Sequence, residues 1–337
     1  MQLALTKFLK NAPLLAGAFF LLFTFPSCKE GQSETATWIT SEPDKPVAET
    51  SPETDESTAS KPNTTSGQEV RFLSYNLKNY LTMRRGKEYL PKPENEIKAA
   101  VALMARQKPD ILGICEIGTK EDLLDLQRRL KNAGIDLPHY EHTGGRDKVR
   151  HLGLLSRYPI VETNSQSELS YEMNGENWII SRGILDATVE TEKGNQLRLL
   201  GVHLKSKREI NQADQELIRQ NEARLLRNHM DAILEEDPSA KLVAYGDFND
   251  TIKSKALSIL RGRSNSKKHM PDFYFKDSRG ELWTYFWDYQ DAYSRFDYVL
   301  FSRSLRPHLV GKKSAIVDDE AWNQASDHRA LMLVLKP

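Results

Sequence analysis

Short apolar runs, several of which end in polar side chains, recur along residues 70–337 and constrain the fold more than any other feature of this sequence. Their length favours strands in the core of a domain, because a buried helix needs a longer segment. The predicted strands are 70–76, 111–115, 152–156, 184–189, 197–203, 242–246, 296–301 and 331–335. The sequence therefore predicts a domain built mainly on β-sheet.

Three longer segments between these strands have apolar residues at helical spacing. Residues 94–107 and 215–234 each present one apolar face. A third helix is predicted to begin at Thr119, followed by Asp122 as in a capping box, and to stop at Gly134. Many strands with few long helices indicate an α+β fold, in which two sheets pack together with helices outside.

The N-terminal segment 1–28 reads as an export signal. Lys7 and Lys10 precede an apolar stretch that is too short and wrongly flanked for a spanning helix. The run 25–28 (FPSC) is similar to a bacterial lipoprotein signal, in which Cys28 is lipidated and becomes the new N-terminus. The alternative is ordinary secretion with a coincidental cysteine. With Cys28 lipidated, Cys115 would have no disulfide partner.

Residues 29–69 are rich in Ser, Thr, Glu and Pro, carry a net charge of −6 and have few large apolar side chains. Such a segment buries too little surface to offset its ordering entropy, so we expect a disordered acidic tether. Residues 70–337 then form the catalytic domain, with 42 basic and 38 acidic residues. That mild positive balance tolerates an anionic substrate but excludes a polycation that coats nucleic acid indiscriminately.

Polar side chains at the strand ends are the candidate site, because a rigid sheet presents such residues at one mouth. Taken singly, each has a structural explanation, such as a turn or a helix cap. Together they suit the attack of water on phosphorus. The sequence has no zinc-type His/Cys spacing and no Gly-rich phosphate loop, and Gly144-Gly145 is too little to be one. The candidates are Asn76, Glu116, His203, Asp247, Asn249, Asp297, Asp327 and His328.

The residue types match the needs of that reaction. Glu116, Asp327 and the Asn76 amide offer the oxygen ligands that a hard cation prefers. The water needs a base or an orienting carboxylate, and a histidine at 328 can donate to a phosphoryl oxygen or leaving group. A second carboxylate can set the tautomer of that histidine.

The ordered set of motifs resembles the endonuclease/exonuclease/phosphatase superfamily, which includes deoxyribonucleases, apurinic endonucleases, sphingomyelinases and inositol-polyphosphate 5-phosphatases. Lys78 stands where apurinic endonucleases carry an acid, and His203 stands where they have Tyr, so the deoxyribonuclease and sphingomyelinase branches match better. The matching segments are 73–76 (LSYN), 110–116 (DILGICE), 153–157 (GLLSR), 202–206 (VHLKS), 245–250 (YGDFND), 295–298 (RFDY) and 326–328 (SDH).

The resemblance implies a four-layer α/β/β/α sandwich of two mixed β-sheets flanked by helices, with the site at the mouth between the sheets. It implies Mg²⁺ or Mn²⁺, with Ca²⁺ as a further candidate, bound chiefly through Glu116 with Asn76 and Asp327 nearby.

The same match assigns the remaining roles. Asp247 would orient or deprotonate the water, and Asn249 would steady the phosphate. His203 and His328 would stabilise the phosphoryl oxygens, and Asp297 would pair with His328.

The substrate is less constrained. Arg150, Arg157 and Lys205 are candidate substrate-binding cations that could grip a nucleic-acid backbone, although a solvated face explains such residues as well. The aromatic stretch 283–289 is expected to pack in the core, whereas a sphingomyelinase would need an exposed aromatic hairpin to enter lipid.

The resulting prediction is an exported nuclease, tethered through a lipid at Cys28 to the periplasmic or cell-surface face of a bacterial membrane. The alternatives are a sphingomyelinase- or phosphatase-like hydrolase and a catalytically inactive binding module. The complete set of acids and histidines disfavours the last.

Overall fold

Strands dominate the computed structural model of the protein, which describes residues 68–191 and 194–336. The predicted signal segment, Cys28 and the tether up to residue 67 lie outside the described residues. In chain order the strands are β1 (Val70–Tyr80), β2 (Met83–Arg85), β3 (Glu88–Leu90), β4 (Ile111–Ile117), β5 (His139–Thr143), β6 (His151–Ser156), β7 (Ile160–Thr163), β8 (Ser170–Met173), β9 (Glu176–Ile179), β10 (Leu185–Glu190), β11 (Gln196–His203), β12 (Leu242–Asp247), β13 (Tyr285–Trp287), β14 (Ala292–Ser294), β15 (Asp297–Phe301), β16 (Ala315–Ile316) and β17 (Leu331–Leu335).

Helices lie over the three segments where the spacing of apolar residues predicted them. Thr119 caps one helix in a capping box with Asp122, as predicted, and Asp214 and Ser254 cap two others. No helix of the described residues is long and apolar enough to cross a membrane. The helices are α1 (Glu94–Gln107), α2 (Lys120–Asn132), α3 (Gln215–Glu236), α4 (Lys255–Arg261) and α5 (Trp322–Ala325).

Two mixed sheets contain most of these strands. The first sheet has the order β16-β17-β1-β4-β6-β5, and the second has the order β15-β12-β11-β10-β7. The β1–β4 and β11–β12 pairs are parallel, and the other pairs within the two sheets are antiparallel. Strands β5, β7 and β16 of these sheets were not predicted. All three lie at sheet edges; β5 and β7 include many polar residues, and β16 has only two residues.

Three apolar clusters define the layers. The inner faces of the two sheets pack on each other, with Phe72 on one side and Leu199 on the other. The outer face of the first sheet packs under α1 and α2, for example through Leu103 and Leu126. The outer face of the second sheet packs under α3 and α4. The predicted α/β/β/α sandwich is therefore confirmed.

The topology brings the polar strand ends to one mouth. Strands β1 and β4 run in the same direction, so Asn76 and Cys115 are register partners near their carboxyl ends. In the second sheet, Asp247 is the register partner of both His203 and Asp297. Side chains that are far apart in sequence thus meet where the two sheets open.

The hairpin β13–β14 corrects one expectation. Trp283 and Phe286 pack against Trp322, as expected for residues of the core. However, Trp287 is 44% exposed and Tyr289 is 86% exposed. The expectation of core packing is wrong for these two, because the hairpin projects from the sandwich instead of lying inside it.

Candidate active site

Asp247, the last residue of β12, is the centre of the site. Its Oδ1 accepts a hydrogen bond from the backbone N–H of Asn249 at 2.8 Å. Its Oδ2 accepts from the side-chain amides of Asn76 at 3.2 Å and Asn249 at 3.1 Å. His203 Nε2 lies 3.4 Å from the same oxygen, and His328 Nε2 lies 3.8 Å from it. One buried carboxylate is therefore held by two amides and faces two imidazoles.

His328 is held from its other side. Its Nδ1 donates to Asp297 Oδ2 at 2.8 Å, so its Nε2 faces Asp247. Asp297 is itself positioned by Thr284, whose hydroxyl oxygen accepts a hydrogen bond from the Asp297 backbone N–H. The Tyr285 ring lies 4.8 Å from the His328 ring. The predicted pairing of Asp297 with His328 is present.

Burial and neighbouring charges shift the pKa values of the two histidines in opposite directions. Burial opposes charging of His328, but the carboxylates of Asp297 and Asp247 outweigh it and raise its pKa to about 10. Burial and the nearby Arg182 guanidinium lower the pKa of His203. Burial also raises the pKa of Asp247. The site thus holds a charged imidazole, a neutral imidazole and a carboxylate that is more basic than usual.

Glu116 reaches the mouth from β4 in an unusual backbone conformation. Its φ is +63°, in the left-handed region, and Asn249 has a φ of +51°. Non-glycine residues adopt this region rarely, and such strain concentrates at functional sites. Glu116 Oε2 accepts a hydrogen bond from the backbone N–H of Asn79 at 2.9 Å, and its Oε1 lies 3.8 Å from His203 Nε2.

The oxygen donors at this mouth suit a divalent cation. Within the described ranges, no three His, Cys, Asp or Glu side chains lie together so that they alone could hold a metal ion. Mg²⁺ does not require such a cage, because it keeps several waters and takes one or two carboxylates. The Glu116 carboxylate, which lies near His203, and the Asn76 amide, which is hydrogen-bonded to Asp247, can supply such ligands. Asp327 lies beside Ser326, whose hydroxyl is 3.4 Å from it.

The predicted substrate-binding cations lie in different parts of the domain. Arg150 Nε lies 3.8 Å from Glu116 Oε1, at the mouth. Arg157 instead pairs with Asp110 at 3.0 Å, one residue before β4 begins. Because Glu116 lies near the other end of β4, roughly 20 Å of strand separates the two places. The structure therefore places Arg157 away from this mouth.

Lys205 lies two residues beyond His203. Its Nζ donates to the backbone oxygens of Ser206 and Arg208, and to the Ser206 hydroxyl. These bonds hold the ammonium close to the segment that leaves β11.

Several residues that shape the site carried no signal in the sequence. Thr284 precedes Asp297 by thirteen positions and belongs to no motif, and Arg182 lies in a connection between strands. Only Asn79 could have been suspected, since it closely follows the 73–76 motif. The missed residues are Asn79, Arg182, Thr284 and Tyr285.

Comparisons with known proteins identify the family. The fold is that of the endonuclease/exonuclease/phosphatase hydrolases, and residues 58–325 match the Endonuclease/Exonuclease/phosphatase family. The chain therefore belongs to that family. No curated protein sequence matches this chain.

Solved structures with the same fold are distant in sequence. The human Nocturnin catalytic domain with bound sulfate anion is 17% identical, with a TM-score of 0.57 over 79% of this chain and 94% of that one. TDP2 from D. rerio, complexed with a single strand DNA product, is 18% identical, with a TM-score of 0.55 over 80% and 99%. Sphingomyelinase C from Streptomyces griseocarneus is 14% identical, with a TM-score of 0.51 over 79% and 99%.

Proposed function

We propose that the protein is a divalent-metal-dependent phosphodiesterase that cleaves nucleic acid with an activated water. The observation that carries this proposal is the buried Asp247 carboxylate, which two amides hold in front of the imidazoles of His203 and His328. This arrangement can take a proton from water on one side and stabilise phosphoryl oxygens on the other. An inactive binding module has no need of it.

The residues then have distinct roles. Asp247 orients the water and accepts its proton, which its raised pKa favours. The charged His328, held by Asp297, donates to a phosphoryl oxygen or to the leaving group. Mg²⁺ or Mn²⁺, held through Glu116 and Asn76, would supply the positive charge that neutralises the phosphoryl oxygens.

An aromatic pocket next to the site supports nucleic acid as the substrate. We call it the base pocket; its volume is about 700 Å³. Aromatic rings stack on nucleobases, and cations beside them hold the backbone. Lys207 Nζ lies 5.7 Å from the Phe296 ring centroid and pairs with Asp250 at 2.9 Å. The lining residues that matter are Lys207, Arg208, Asn249, Tyr285, Trp287 and Phe296.

A specific observation also favours the second candidate, a sphingomyelinase-like activity. The β13–β14 hairpin exposes Trp287, Tyr289 and Tyr293, and the resemblance to sphingomyelinases implies that a lipid-cleaving member of the family would need such a hairpin to enter lipid. Asp288 and Asp291 flank the exposed tyrosine at the tip, which disfavours an anionic membrane surface.

An assay panel tests the proposal directly. Plasmid DNA, RNA, sphingomyelin vesicles and a soluble phosphate diester are each offered with Mg²⁺, Mn²⁺ or Ca²⁺, and with EDTA. We expect nucleic-acid cleavage that EDTA abolishes and that falls with salt, because phosphate contacts release counterions. Intact DNA and RNA beside cleaved sphingomyelin would overturn the nuclease proposal.

Two hairpin variants sharpen the comparison. Trp287 lines the base pocket, whereas Tyr289 does not and lies at the hairpin tip. A nuclease should lose nucleic-acid cleavage in Trp287→Ala and keep it in Tyr289→Ala. A lipid hydrolase should lose vesicle activity in Tyr289→Ala while its activity on the soluble diester stays unchanged.

We also propose that the enzyme is exported and lipid-anchored through Cys28. The support is the segment 1–28, with its basic start, apolar stretch and terminal cysteine. Cys28→Ser should give soluble protein or unprocessed precursor on membrane fractionation. Unchanged membrane partitioning, with no lipid mass on the wild-type chain, would overturn this proposal.

A further inference from the structure

A second pocket adjoins the candidate active site on the other side of the segment that follows β11. We call it the cationic pocket; its volume is about 300 Å³. Lys205 lines the cationic pocket, whereas the next four residues, 206–209, line the base pocket. Two of its residues have been met above: Arg182 lowers the pKa of His203, and Lys205 is one of the predicted substrate-binding cations. Its principal lining residues are Arg146, Asp147, Trp178, Arg182, Lys205 and Ile218.

Close backbone contact builds one wall of the cationic pocket and explains the glycine pair at 144–145. A Cβ on Gly145 would lie 2.6 Å from the Ile180 carbonyl oxygen, and a Cβ on Gly183 would lie 2.2 Å from the Gly144 oxygen. The wall is further tied by the backbone N–H of Asp147, which donates to the oxygen of residue 181 at 2.7 Å. The glycines therefore let two loops lie together, with their charged side chains on one wall.

A buried carboxylate joins this wall to the segment after β11. Glu222 of α3 is 1% exposed. One of its oxygens accepts from the Ser181 backbone N–H at 2.9 Å, and the other accepts from the Lys205 backbone N–H at 2.7 Å. Because both oxygens bind backbone donors, Glu222 fixes the two sides of the pocket relative to each other.

Positive charge exceeds negative charge among the lining side chains. Arg146 lies over the Trp178 ring at 5.1 Å, and Arg182 is only 8% exposed. Asp147 is the one carboxylate among the principal lining residues, and its Oδ2 lies 3.3 Å from Arg182 Nε. That Nε makes no hydrogen bond within the described residues. Burial and the Arg182 charge lower the pKa of Lys205, as expected where cations outnumber acids.

Direct contacts link the cationic pocket to the catalytic groups. Arg182 Nη1 donates to the Leu204 oxygen at 3.4 Å, and Asn249 Nδ2 donates to the same oxygen at 3.0 Å. On the other side, Arg150 lies between Asp147 at 3.9 Å and Glu116 at 3.8 Å. A group in this pocket is therefore a close neighbour of a phosphate in the active site.

We propose that the cationic pocket binds a second phosphate of the substrate, next to the phosphate that is cleaved. This inference rests on the proposed phosphodiesterase function and specifies its substrate as one with at least two linked phosphates. Arg146 and Arg182 would bind the phosphate oxygens, and the Lys205 ammonium, which donates its hydrogen bonds to Ser206 and Arg208, would add positive charge beside them. Trp178 and Ile218, which are buried together, would form the apolar floor beneath Arg146. A lipid headgroup with a single phosphate would leave the pocket unused.

The test compares ligands with one and two phosphates. Thymidine 3′,5′-bisphosphate and thymidine 5′-monophosphate are titrated calorimetrically into wild-type protein, Arg146→Gln and Lys148→Gln. Lys148 is a matched control, because it is an exposed cation two residues beyond Arg146 but does not line the pocket. We expect the bisphosphate to bind wild-type protein and Lys148→Gln at least tenfold more tightly than the monophosphate. Arg146→Gln should lose most of that preference.

Cleavage assays separate failure of this inference from failure of the proposed function. The same variants are assayed on thymidine dinucleotides with and without a terminal phosphate. Equal binding of the two thymidine ligands by wild-type protein, with nucleic acid still cleaved, would overturn the second-phosphate site alone. A bisphosphate preference that Arg146→Gln removes, in a protein that cleaves no nucleic acid, would support the site and overturn the nuclease proposal.

Discussion

At the residue scale, two carboxylates at the mouth have different surroundings and therefore different expected roles. Asp247 is buried and receives three hydrogen bonds from Asn76 and Asn249. Glu116 is partly exposed, receives one backbone hydrogen bond and lies near His203 and a cation. The first environment suits a group that aligns a water, and the second suits a ligand to an incoming ion.

We expect Glu116→Gln and Asp247→Asn to fail differently. Glu116→Gln keeps the shape but removes the charge, so excess metal should partly rescue its rate. Asp247→Asn should slow the chemical step by on the order of a hundredfold or more, without rescue by metal. Rate against metal concentration, with a melting curve for each variant, makes the comparison. Loss of activity only in step with loss of folding would show that both residues are structural.

At the element scale, a buried ion pair ties the connection before β13 to the entry of β17. Asp277 Oδ2 lies 3.0 Å from Arg329 Nη2, and the Arg329 backbone N–H donates to the Thr284 carbonyl oxygen. The Thr284 hydroxyl oxygen also accepts a hydrogen bond from the Asp297 backbone N–H. The Asp277–Arg329 ion pair therefore supports the segment that carries His328.

We expect the Asp277 pair to make stability depend on acid pH. Burial opposes ionisation of Asp277, but N–H donors of Glu281 and Arg279 and the Arg329 guanidinium outweigh it and lower its pKa to about 2. The folded-state pKa is below the unfolded value of about 4, so this stabilisation is present above pH 4 and is lost as the pH falls towards 2. Asp277→Asn should cost about 2 kcal/mol at pH 7.

Urea unfolding at pH values from 7 to 2 measures this effect. The stability gap between wild type and Asp277→Asn should narrow as the pH falls below 4. Lys131→Gln is the control, since its exposed pair with Asp136 should contribute less than about 0.5 kcal/mol. A gap that stays constant across the whole range would contradict the assigned linkage.

At the scale of the whole molecule, the tyrosine ring of β12 sets how closely the two sheets approach. Tyr245 is fully buried, and its ring lies where Gly113 of the opposite sheet leaves room; a Cβ there would be 2.2 Å from the ring. Gly201, its neighbour on β11, makes room for the hydroxyl. That hydroxyl has no hydrogen-bond partner among the described residues.

We expect Tyr245→Phe to leave stability unchanged or to raise it by about 1 kcal/mol, because it removes a buried, unsatisfied hydroxyl. Gly113→Ala should instead cost about 3 kcal/mol, since the ring cannot move away without disturbing the sheet interface. Thermal and urea unfolding of both variants gives the comparison. Clear destabilisation by Tyr245→Phe would mean that the hydroxyl has a partner in solution, such as a buried water.

The sequence by itself determined the longer helices, most strands of the two large sheets and the chemical types at the site. Helix α1 has the bounds that its periodicity predicts, and strand β17 has the bounds of its apolar run. Such bounds can be predicted locally, because the spacing of apolar residues along a segment shows which face of a helix or strand is buried. The chemical types at the strand ends likewise predicted a carboxylate, amide and imidazole site.

Only the tertiary structure decided which of those side chains meet. The sequence placed Arg157 at the site, but β6 runs antiparallel to β4 and carries it to the opposite end of the sheet. No motif pointed to Thr284 or to Arg182, because their roles depend on contacts between loops that are distant in the chain. Strand order and direction are long-range properties, set by how two sheets bury their faces together, and no local pattern encodes them.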